Sequence, residues 1–266
     1  MSKRVSAALS AGYALLLYGF IFLPVGVLVL FSFQDSRLPI MPFKGPTLKW
    51  YEAVLNDSRL TDSMVNSLMV ALGSSVVSVV LGFLAAYGLA RYVLPAKGLQ
   101  RALLTAPLTV SYLIIALGLL ILFNATGVPR SLWTIGIGHV VINLPLCFAI
   151  VYSQFGDHQV NIEHAAHDLG ASEWQTLRLV TAPMMMPSIL ASFFLALTFS
   201  WDEFIISFLL SRFDVTLPVE IWGLLRSGLN PKTNAAGSLV FLISMVLLLL
   251  AEVLVFRRMG RKSDAR

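Results

Sequence analysis

Charged residues are absent from six long apolar stretches of the chain, and these stretches set its predicted architecture. They lie between Arg4 and Asp35, Asp62 and Arg91, Arg101 and Arg130, Arg130 and Asp157, Arg178 and Asp202, and Lys232 and Glu252. Each contains at least nineteen residues, close to the roughly twenty that a helix needs to cross a hydrocarbon core. The pattern predicts six membrane-spanning helices, at about residues 9–33, 64–90, 103–124, 134–154, 188–211 and 236–256.

Composition favours a membrane protein over a soluble one. Hydrophobic residues make up 57% of the 266 residues and charged residues only 12%, whereas charged residues form about a quarter of a typical soluble domain. We therefore expect an all-α, polytopic membrane protein in which residues 1–266 form a single transmembrane domain. Cys147 is the only cysteine, which excludes an internal disulfide and a cysteine-based metal cluster.

The first apolar run also has the basic flank of a signal peptide, in Lys3 and Arg4. A signal peptide, however, has an apolar region of only about 7–15 residues before a small-residue cleavage site. Here the run continues through YALLLYGFIFLPVGVLVLFSF, so we interpret it as an uncleaved first span.

Basic residues predict the orientation of the chain in the membrane. With six spans, the termini and two loops share one side, which carries 11 of the 19 Lys and Arg residues, against 8 on the other side. The clearest part of this excess is FRRMGRKSDAR, directly after the last span. Because cytoplasmic loops are enriched in basic residues, both termini are predicted to be cytoplasmic. Topology thus explains the net charge of +5, and we expect no nucleic-acid partner.

One long polar segment, residues 155–187, interrupts the apolar chain between the fourth and fifth spans, on the predicted cytoplasmic side. Within it, NIEHAAHDLGASEWQTLRLVTAPMMMP begins at Asn161, which is expected to cap a short helix. Gly170 is expected to end that helix in a left-handed conformation. Ser172 and Gln175 have capping-box spacing, which predicts a second short helix. A helix, a glycine turn and a helix exposed to the cytoplasm favour docking of a partner protein.

The same segment resembles the EAA motif, a cytoplasmic loop that marks permease subunits of bacterial ABC importers. The resemblance is carried, at the family's spacing, by Ala165, Ala166, Asp168, Leu169, Gly170, Ala171 and Pro183. It implies the ABC importer type I permease fold, in which this loop forms coupling helices that lie in a groove of the ATPase subunit. In this chain the implied ATPase-coupling residues are Glu163, His164, Ala165, Ala166, Asp168, Gly170 and Ala171.

Most of the remaining chain resembles the spermidine/putrescine branch of these importers, in the second of its two permease subunits. Resembling segments include WYEAVLND, TFSWDEFIISF and LSRFDVTLPVEIWGLLRSGLNPKTNA. The resemblance implies a bacterial inner-membrane subunit, in contact with lipid, that forms the path for a polyamine or another small organic solute. It implies three protein partners: an ATPase subunit dimer, a second homologous permease subunit and a periplasmic substrate-binding protein.

This chain is not expected to be an enzyme or to hold a cofactor. It has no Walker-type phosphate loop, so ATP and magnesium would be bound by the partner ATPase. An alternative is a secondary transporter, which would work without an ATPase. Another is an intramembrane enzyme that would use Asp202, Glu203 or His139. For His139 and Asn143 in the fourth span, however, we expect interhelical hydrogen bonds.

Two positions depart from the family pattern. His164 stands where the motif has its glutamate, although Glu163 precedes it, so coupling would use Glu163 or a histidine hydrogen bond. In the third span, Ser111 and Tyr112 stand where relatives often carry a proline followed by an acidic residue. Tyr112 is therefore a candidate substrate-pathway residue. Histidines 164 and 167 with adjacent carboxylates can share a metal ion, but no further ligand cluster accompanies them, and we expect no metal site.

Asp202 and Glu203 form the sharpest candidate site within a span. Acids inside a membrane are costly and usually face a cavity or a pathway, and aromatic rings such as those of Trp201 and Phe199 can hold an organic cation over their faces. All four residues are predicted to line the substrate pathway. Adjacent helical residues point about 100° apart, so the alternative is that one carboxylate only pairs with a neighbouring helix.

Overall fold

The computed structural model describes residues 3–228 and 230–263, with side chains described for 9–156, 158–228 and 230–254. These residues contain no strand, and their only bridge joins Gln34 to Pro46. The helices are α1 (Lys3–Ser32), α2 (Lys49–Leu55), α3 (Ser58–Arg91), α4 (Lys97–Thr105), α5 (Tyr112–Ala125), α6 (Leu132–Tyr152), α7 (Asp157–Asp168), α8 (Glu173–Thr176), α9 (Ala182–Met184), α10 (Met186–Asp202), α11 (Ile205–Leu210), α12 (Leu217–Ser227) and α13 (Pro231–Ser263). A 3₁₀ turn (Ala106–Thr109) and a π-helical segment (Leu177–Thr181) complete the helical structure. The all-α prediction is confirmed.

Four helices in the described part of the chain are long and apolar enough to cross a membrane, and up to six spans result if each of two bent helix pairs counts as one. The four are Leu9–Ser32, Ser58–Arg91, Leu132–Tyr152 and Pro231–Leu254. The bent pairs are Lys97–Thr109 with Tyr112–Ala125, at 103°, and Glu173–Met184 with Met186–Asp202, at 70°. The third predicted span therefore contains a sharp bend, and the fifth follows one. The predicted span limits stay predictions.

The bend in the third predicted span has a local cause. Val110 and Ser111 have extended backbone conformations, which interrupt the helical hydrogen bonds. Just before them, the hydroxyl groups of Thr105 and Thr109 donate to carbonyl oxygens one turn earlier, at 3.0 and 2.8 Å. Such side-chain bonds compete with the backbone ladder and bend helices.

The described residues divide into two compact units. The first comprises the described parts of Met1–Asp62 and Glu220–Ile243. Its loop after α1 is organised by the buried Gln34, whose amide donates to the Ile40 carbonyl at 2.9 Å and accepts from the Lys44 N–H at 3.0 Å. The indole of Trp50 donates to the Gln34 carbonyl at 2.7 Å. One buried amide thus satisfies the backbone groups of an irregular loop.

The second unit comprises the described parts of Ser63–Val219 and Ser244–Arg266, and α6 runs through its core. Phe148 and Cys147 of α6 are fully buried. A Cβ atom at Gly82 of α3 would lie 2.8 Å from the Phe148 backbone nitrogen and 2.9 Å from the Cys147 Cβ, so only glycine permits this approach of α3 to α6. Because lipid tails are as apolar as leucine, such close packing is a main source of stability between membrane helices.

Hydrogen bonds between α6 and α10 add to this packing. His139 Nδ1 lies 2.6 Å from the Ser200 hydroxyl oxygen. The Asn143 amide donates to the Ala196 carbonyl at 3.4 Å. Both side chains are buried, and both form the interhelical hydrogen bonds expected of them.

Candidate functional site

The predicted coupling loop folds as a helix, a turn and a second helical segment, which we call the loop hairpin (residues 157–184). Its first helix, α7, begins directly after Gly156, whose N–H is bonded by the Gln159 side chain at 3.1 Å. The prediction that Asn161 caps this helix is therefore wrong, because Asn161 lies in the second turn of α7. The Gln159 amide supplies the capping acceptor earlier in the chain.

The turn of the loop hairpin is a Schellman motif. Gly170 has a φ of +86°, and its N–H donates to the His167 carbonyl at 2.8 Å. The following N–H, of Ala171, donates to the Ala166 carbonyl at 3.0 Å. These two bonds satisfy carbonyl groups that the end of a helix leaves open, and they confirm the predicted left-handed conformation of Gly170.

The second half of the loop hairpin starts at the predicted capping box. The Gln175 N–H donates to the Ser172 hydroxyl at 3.3 Å, and the Ser172 N–H donates to the Gln175 side chain at 2.9 Å. The helix α8 that follows continues through the π-helical segment into α9, which ends at Met184. A π-helical segment in a helix frequently marks a functional position.

Apolar side chains protrude from the loop hairpin into solvent. Leu169 at the turn is 90% exposed, Trp174 is 67% exposed and Leu179 is 69% exposed. Of the predicted coupling residues, the exposed ones are His164, Ala165, Asp168 and Gly170, and the half-buried ones are Ala166 and Ala171. Exposed apolar groups rimmed by polar ones are typical of a protein contact. A docking role for this surface stays a prediction.

Glu163 lies on the opposite side of α7 and is buried. Its carboxylate is 2.5 Å from Arg91 Nε and 3.2 Å from Arg91 Nη2, and it accepts the Thr181 hydroxyl at 2.8 Å. Glu163 and His164 are the two candidates for the role of the motif glutamate. Glu163 is buried and His164 is exposed. The partners of Glu163 were not predicted. Arg91 ends a charge-free run, but no local signal indicates a partner 72 residues away.

The loop hairpin and the end of α3 also share an exposed contact. Tyr92 donates from its hydroxyl to Glu173 at 3.0 Å. The deprotonated phenolate cannot donate this hydrogen bond, so the bond favours the protonated form and raises the pKa of Tyr92.

The second candidate site lies where the fifth predicted span is interrupted. Asp202 is the last residue of α10 and is exposed, and the Ser244 hydroxyl donates to its carboxylate at 3.2 Å. Glu203, the next residue, has an extended backbone and is buried. Its carboxylate accepts the backbone N–H groups of Ile206 and Ser207, at 3.0 and 3.1 Å. Glu203 therefore caps α11, whereas Asp202 faces away from the core.

A buried polar cluster surrounds the Glu203 carboxylate. His139 Nε2 lies 3.4 Å from Glu203 Oε2 and 3.0 Å from the Ser207 hydroxyl. On the other side of the imidazole, Ser200 also bonds Ser74 of α3 at 2.9 Å. The cluster ties together α3, α6 and both sides of the break between α10 and α11. A pathway role for Glu203 stays a prediction.

The aromatic candidates fall into two groups. Phe199 is 47% exposed and lies three residues before the exposed Asp202, so the two share one face of α10. Tyr112, the first residue of α5, is 40% exposed. Trp201 is only 2% exposed, so its ring is not available to a solute in this conformation. No group of three or more metal-binding side chains occurs among the residues that the structure describes.

Comparison with known proteins identifies the family. Residues 78–260, more than half of the chain, match the family "Binding-protein-dependent transport system inner membrane component". The chain belongs to this family. The permease is 29% identical over 251 residues to the spermidine/putrescine transport system permease protein PotC of Escherichia coli strain K12, covering 94% of this chain and 95% of PotC. It is 33% identical over 241 residues to the putrescine transport system permease protein PotI of the same strain, covering 85% and 84%.

A third relative has a different named solute. The putative 2-aminoethylphosphonate transport system permease protein PhnV of Salmonella typhimurium is 27% identical over 264 residues, covering 98% of each chain. The family resemblance drawn from the EAA-like segment is thus confirmed, and these relatives are transport permeases rather than enzymes.

Solved structures show the same fold. A bacterial ABC transporter involved in import of the polysaccharide alginate matches with a TM-score of 0.69 and 17% identity, over 97% of this chain and 98% of that one. The MetNI methionine ABC transporter matches with a TM-score of 0.57 and 13% identity, over 76% and 98%. The prediction of an ABC importer type I permease fold is confirmed.

Proposed function

We propose that this permease forms the membrane path of an ATP-driven importer for a polyamine such as spermidine or putrescine. A periplasmic binding protein delivers the solute, and a second homologous permease subunit completes the path. An ATPase subunit dimer binds ATP and magnesium. The similarity to PotC and PotI over most of the chain carries this proposal, and family membership disfavours a secondary transporter or an intramembrane enzyme.

The loop hairpin is the proposed contact with the ATPase, which requires both termini to be cytoplasmic. The exposed Leu169 and Trp174 supply apolar anchors, and the exposed Ala165 leaves a flat surface beside them. The cluster FRRMGRKSDAR, on which the orientation mainly rests, lies outside the residues whose side chains are described. We expect Ala165→Trp to prevent co-purification of the ATPase on steric grounds. The control variant His164→Glu restores the motif residue and should still co-purify with the ATPase. Unchanged assembly with Ala165→Trp would place the contact elsewhere.

Asp202 is the proposed cation contact along the path. An exposed carboxylate within a span is costly unless water or a passing cation relieves it. Phe199, on the same face of α10, offers a ring to an ammonium group. Tyr112 stays a candidate lining residue. Glu203 is buried and acts on the path by holding the break between α10 and α11 in place. Trp201 is buried too and is not proposed as a contact of the solute.

Uptake of radiolabelled putrescine into vesicles tests the function. The vesicles carry the reconstituted complex in their membrane and are prepared either with ATP enclosed or without ATP. The binding protein is added outside. We expect uptake only with ATP, and an Asp202→Asn decrease of about tenfold, equivalent to about 1.4 kcal/mol. Ser244→Ala, which removes only the donor to Asp202, is the matched control and should retain most uptake. Uptake without ATP, or none with any polyamine, would reject the proposal.

A phosphonate that bears an amine is the second candidate solute, because PhnV matches 98% of the chain. Its phosphonate group is an anion, which the Asp202 carboxylate repels. Competition distinguishes the two: excess spermidine should abolish putrescine uptake, and excess 2-aminoethylphosphonate should leave it unchanged. The reverse result would favour the phosphonate.

A further inference from the structure

The carboxylate of Glu163 joins three segments of the second unit. It receives two bonds from the Arg91 guanidinium at the end of α3, and one from the Thr181 hydroxyl in the π-helical segment of the loop hairpin. The Arg91 and Glu163 side chains are only 14% and 6% exposed. Charge-assisted bonds of this kind, to a planar guanidinium, fix orientation as well as distance. Both halves of the loop hairpin are thus held to the last residue of α3.

Additional contacts stiffen this junction between the end of α3 and the loop hairpin, which we call the joint. The Arg91 guanidinium lies 4.9 Å from the centre of the Phe155 ring, on its face, so it is enclosed by an aromatic group as well as by the carboxylate. The exposed bond from Tyr92 to Glu173 connects the same two segments at the surface. The joint therefore has a buried ionic part and a solvent-exposed part, which can be altered separately.

From this joint α3 leads to the proposed solute path. Ser74 lies 17 residues before Arg91 on the same helix, a distance of about 25 Å along the axis. Its hydroxyl oxygen is 2.9 Å from that of Ser200, which lies two residues before Asp202. A helix held firmly at both ends can carry a displacement from one site to the other.

We infer that Arg91 and Glu163 are positioning residues that transmit movement between the loop hairpin and α3. The inference rests on the proposed function, in which an ATPase docks on the loop hairpin. The exposed face of α7 contacts the ATPase, and the buried face passes the resulting displacement to α3. Loss of the pair leaves docking intact and uncouples ATP hydrolysis from solute movement.

The test measures radiolabelled putrescine transported per ATP hydrolysed in the reconstituted complex. Glu163→Gln keeps the shape of the side chain but removes its charge, and we expect this ratio to fall roughly fivefold or more while the ATPase still co-purifies. Tyr92→Phe, which removes the exposed bond to Glu173 from outside the loop hairpin, is the matched control, and its ratio should stay within about twofold, because exposed contacts contribute little.

Two further variants distinguish transmission from a merely structural role. The exchanged pair Arg91→Glu with Glu163→Arg should recover at least half of the native ratio. Arg91→Lys keeps the charge without the forked geometry, and it should give an intermediate ratio even if the other single variants fail to accumulate in the membrane.

The outcomes separate this inference from the proposed function. If the native complex shows no ATP-dependent uptake, the proposed function fails. If the native complex transports and Glu163→Gln or Arg91→Lys keeps the native ratio, the inference is overturned. Loss of ATPase co-purification in these variants would overturn it too, because the pair would then serve docking.

Discussion

Two buried carboxylates in the second unit are held in opposite ways. Taken as whole residues, Glu163 and Glu203 are 4% and 6% exposed. Glu163 is neutralised by Arg91, a permanent cation that lies 72 residues earlier in the chain. Glu203 instead accepts the backbone N–H groups of Ile206 and Ser207, three and four residues further on.

The difference shows that equal burial does not imply an equal role. A carboxylate paired with a distant cation connects two parts of the chain, and its removal leaves the cation buried without a counter-charge. A carboxylate that caps a helix fixes the direction of the backbone over a few residues. Glu163 therefore connects distant segments through its charge. Glu203 also has His139 of α6 beside it, but its carboxylate bonds the backbone of the break between α10 and α11 directly.

The largest expected effect comes from breaking the long-range pair. Glu163→Ala leaves the Arg91 guanidinium buried and unpaired, which should cost about 3–5 kcal/mol. Thermal denaturation of the purified permease in detergent measures it. The double variant Arg91→Ala with Glu163→Ala should lose less than the sum of the single variants. Additive losses would show that the two side chains do not depend on each other.

Removal of the local cap should have a smaller effect. Glu203→Ala leaves two backbone N–H groups at the start of α11 without an acceptor, at a cost of about 1–3 kcal/mol. Glu203→Gln keeps one acceptor oxygen and should cost less than Glu203→Ala in the same denaturation assay. If the alanine variant is as stable as the native protein, Glu203 does not hold the break.

Gly170 provides a test of the shape of the loop hairpin that changes no charged group. Gly170 has a positive φ, and no atom lies within 4 Å of the position of a Cβ there, so the cost of a side chain is conformational. Gly170→Val should cost about 1–2 kcal/mol and lower uptake without preventing membrane insertion. Gly170→Asn, which tolerates this conformation, is the control. Equal uptake by both variants and the native protein would show that the turn need not keep its shape.

The smallest effect is expected at a partly exposed pair in the first unit. Lys232 Nζ lies 2.5 Å from Asp57 Oδ2, and its hydrogen bond holds the pKa of Asp57 below the ordinary value. A carboxylate with a lowered folded pKa gives stability that is present above the unfolded pKa, about 3.9, and is lost as pH falls through the folded one. Asp57→Asn should therefore cost at most about 1 kcal/mol near neutral pH.

Denaturation of the native protein and of Asp57→Asn at several pH values checks this expectation. The stability difference should stay constant above about pH 5 and shrink at lower pH as Asp57 becomes protonated. A difference that grows on acidification would contradict the assigned direction.

Features with nearby determinants were predictable from the sequence. The left-handed Gly170 and the Ser172 capping box depend on residues within one or two turns, and both were predicted. The prediction that Asn161 caps α7 was wrong because the helix begins earlier, directly after Gly156, whose N–H donates to the Gln159 side chain. Residue type therefore predicts that a cap exists more reliably than it predicts which residue provides it.

Features that depend on tertiary contacts were not predictable in the same way. The interruption after Asp202 follows from a carboxylate that turns back onto its own chain and is enclosed by His139 of another helix. The adjacent position of two acids in an apolar run indicated a special site. It did not indicate which of them faces solvent, since this depends on how α10 packs against α6.

The burial of Cys147 has a practical consequence for labelling chemistry. Its thiol is fully buried beside Gly82 and bonded to the Ser192 carbonyl at 3.7 Å, and it is the only cysteine in the sequence. Buried cysteines of this kind react slowly with maleimides. A cysteine introduced at the 90% exposed Leu169 would thus be the fast-reacting thiol of the permease, so a fluorophore or spin label can be attached at the tip of the loop hairpin without first replacing the native cysteine.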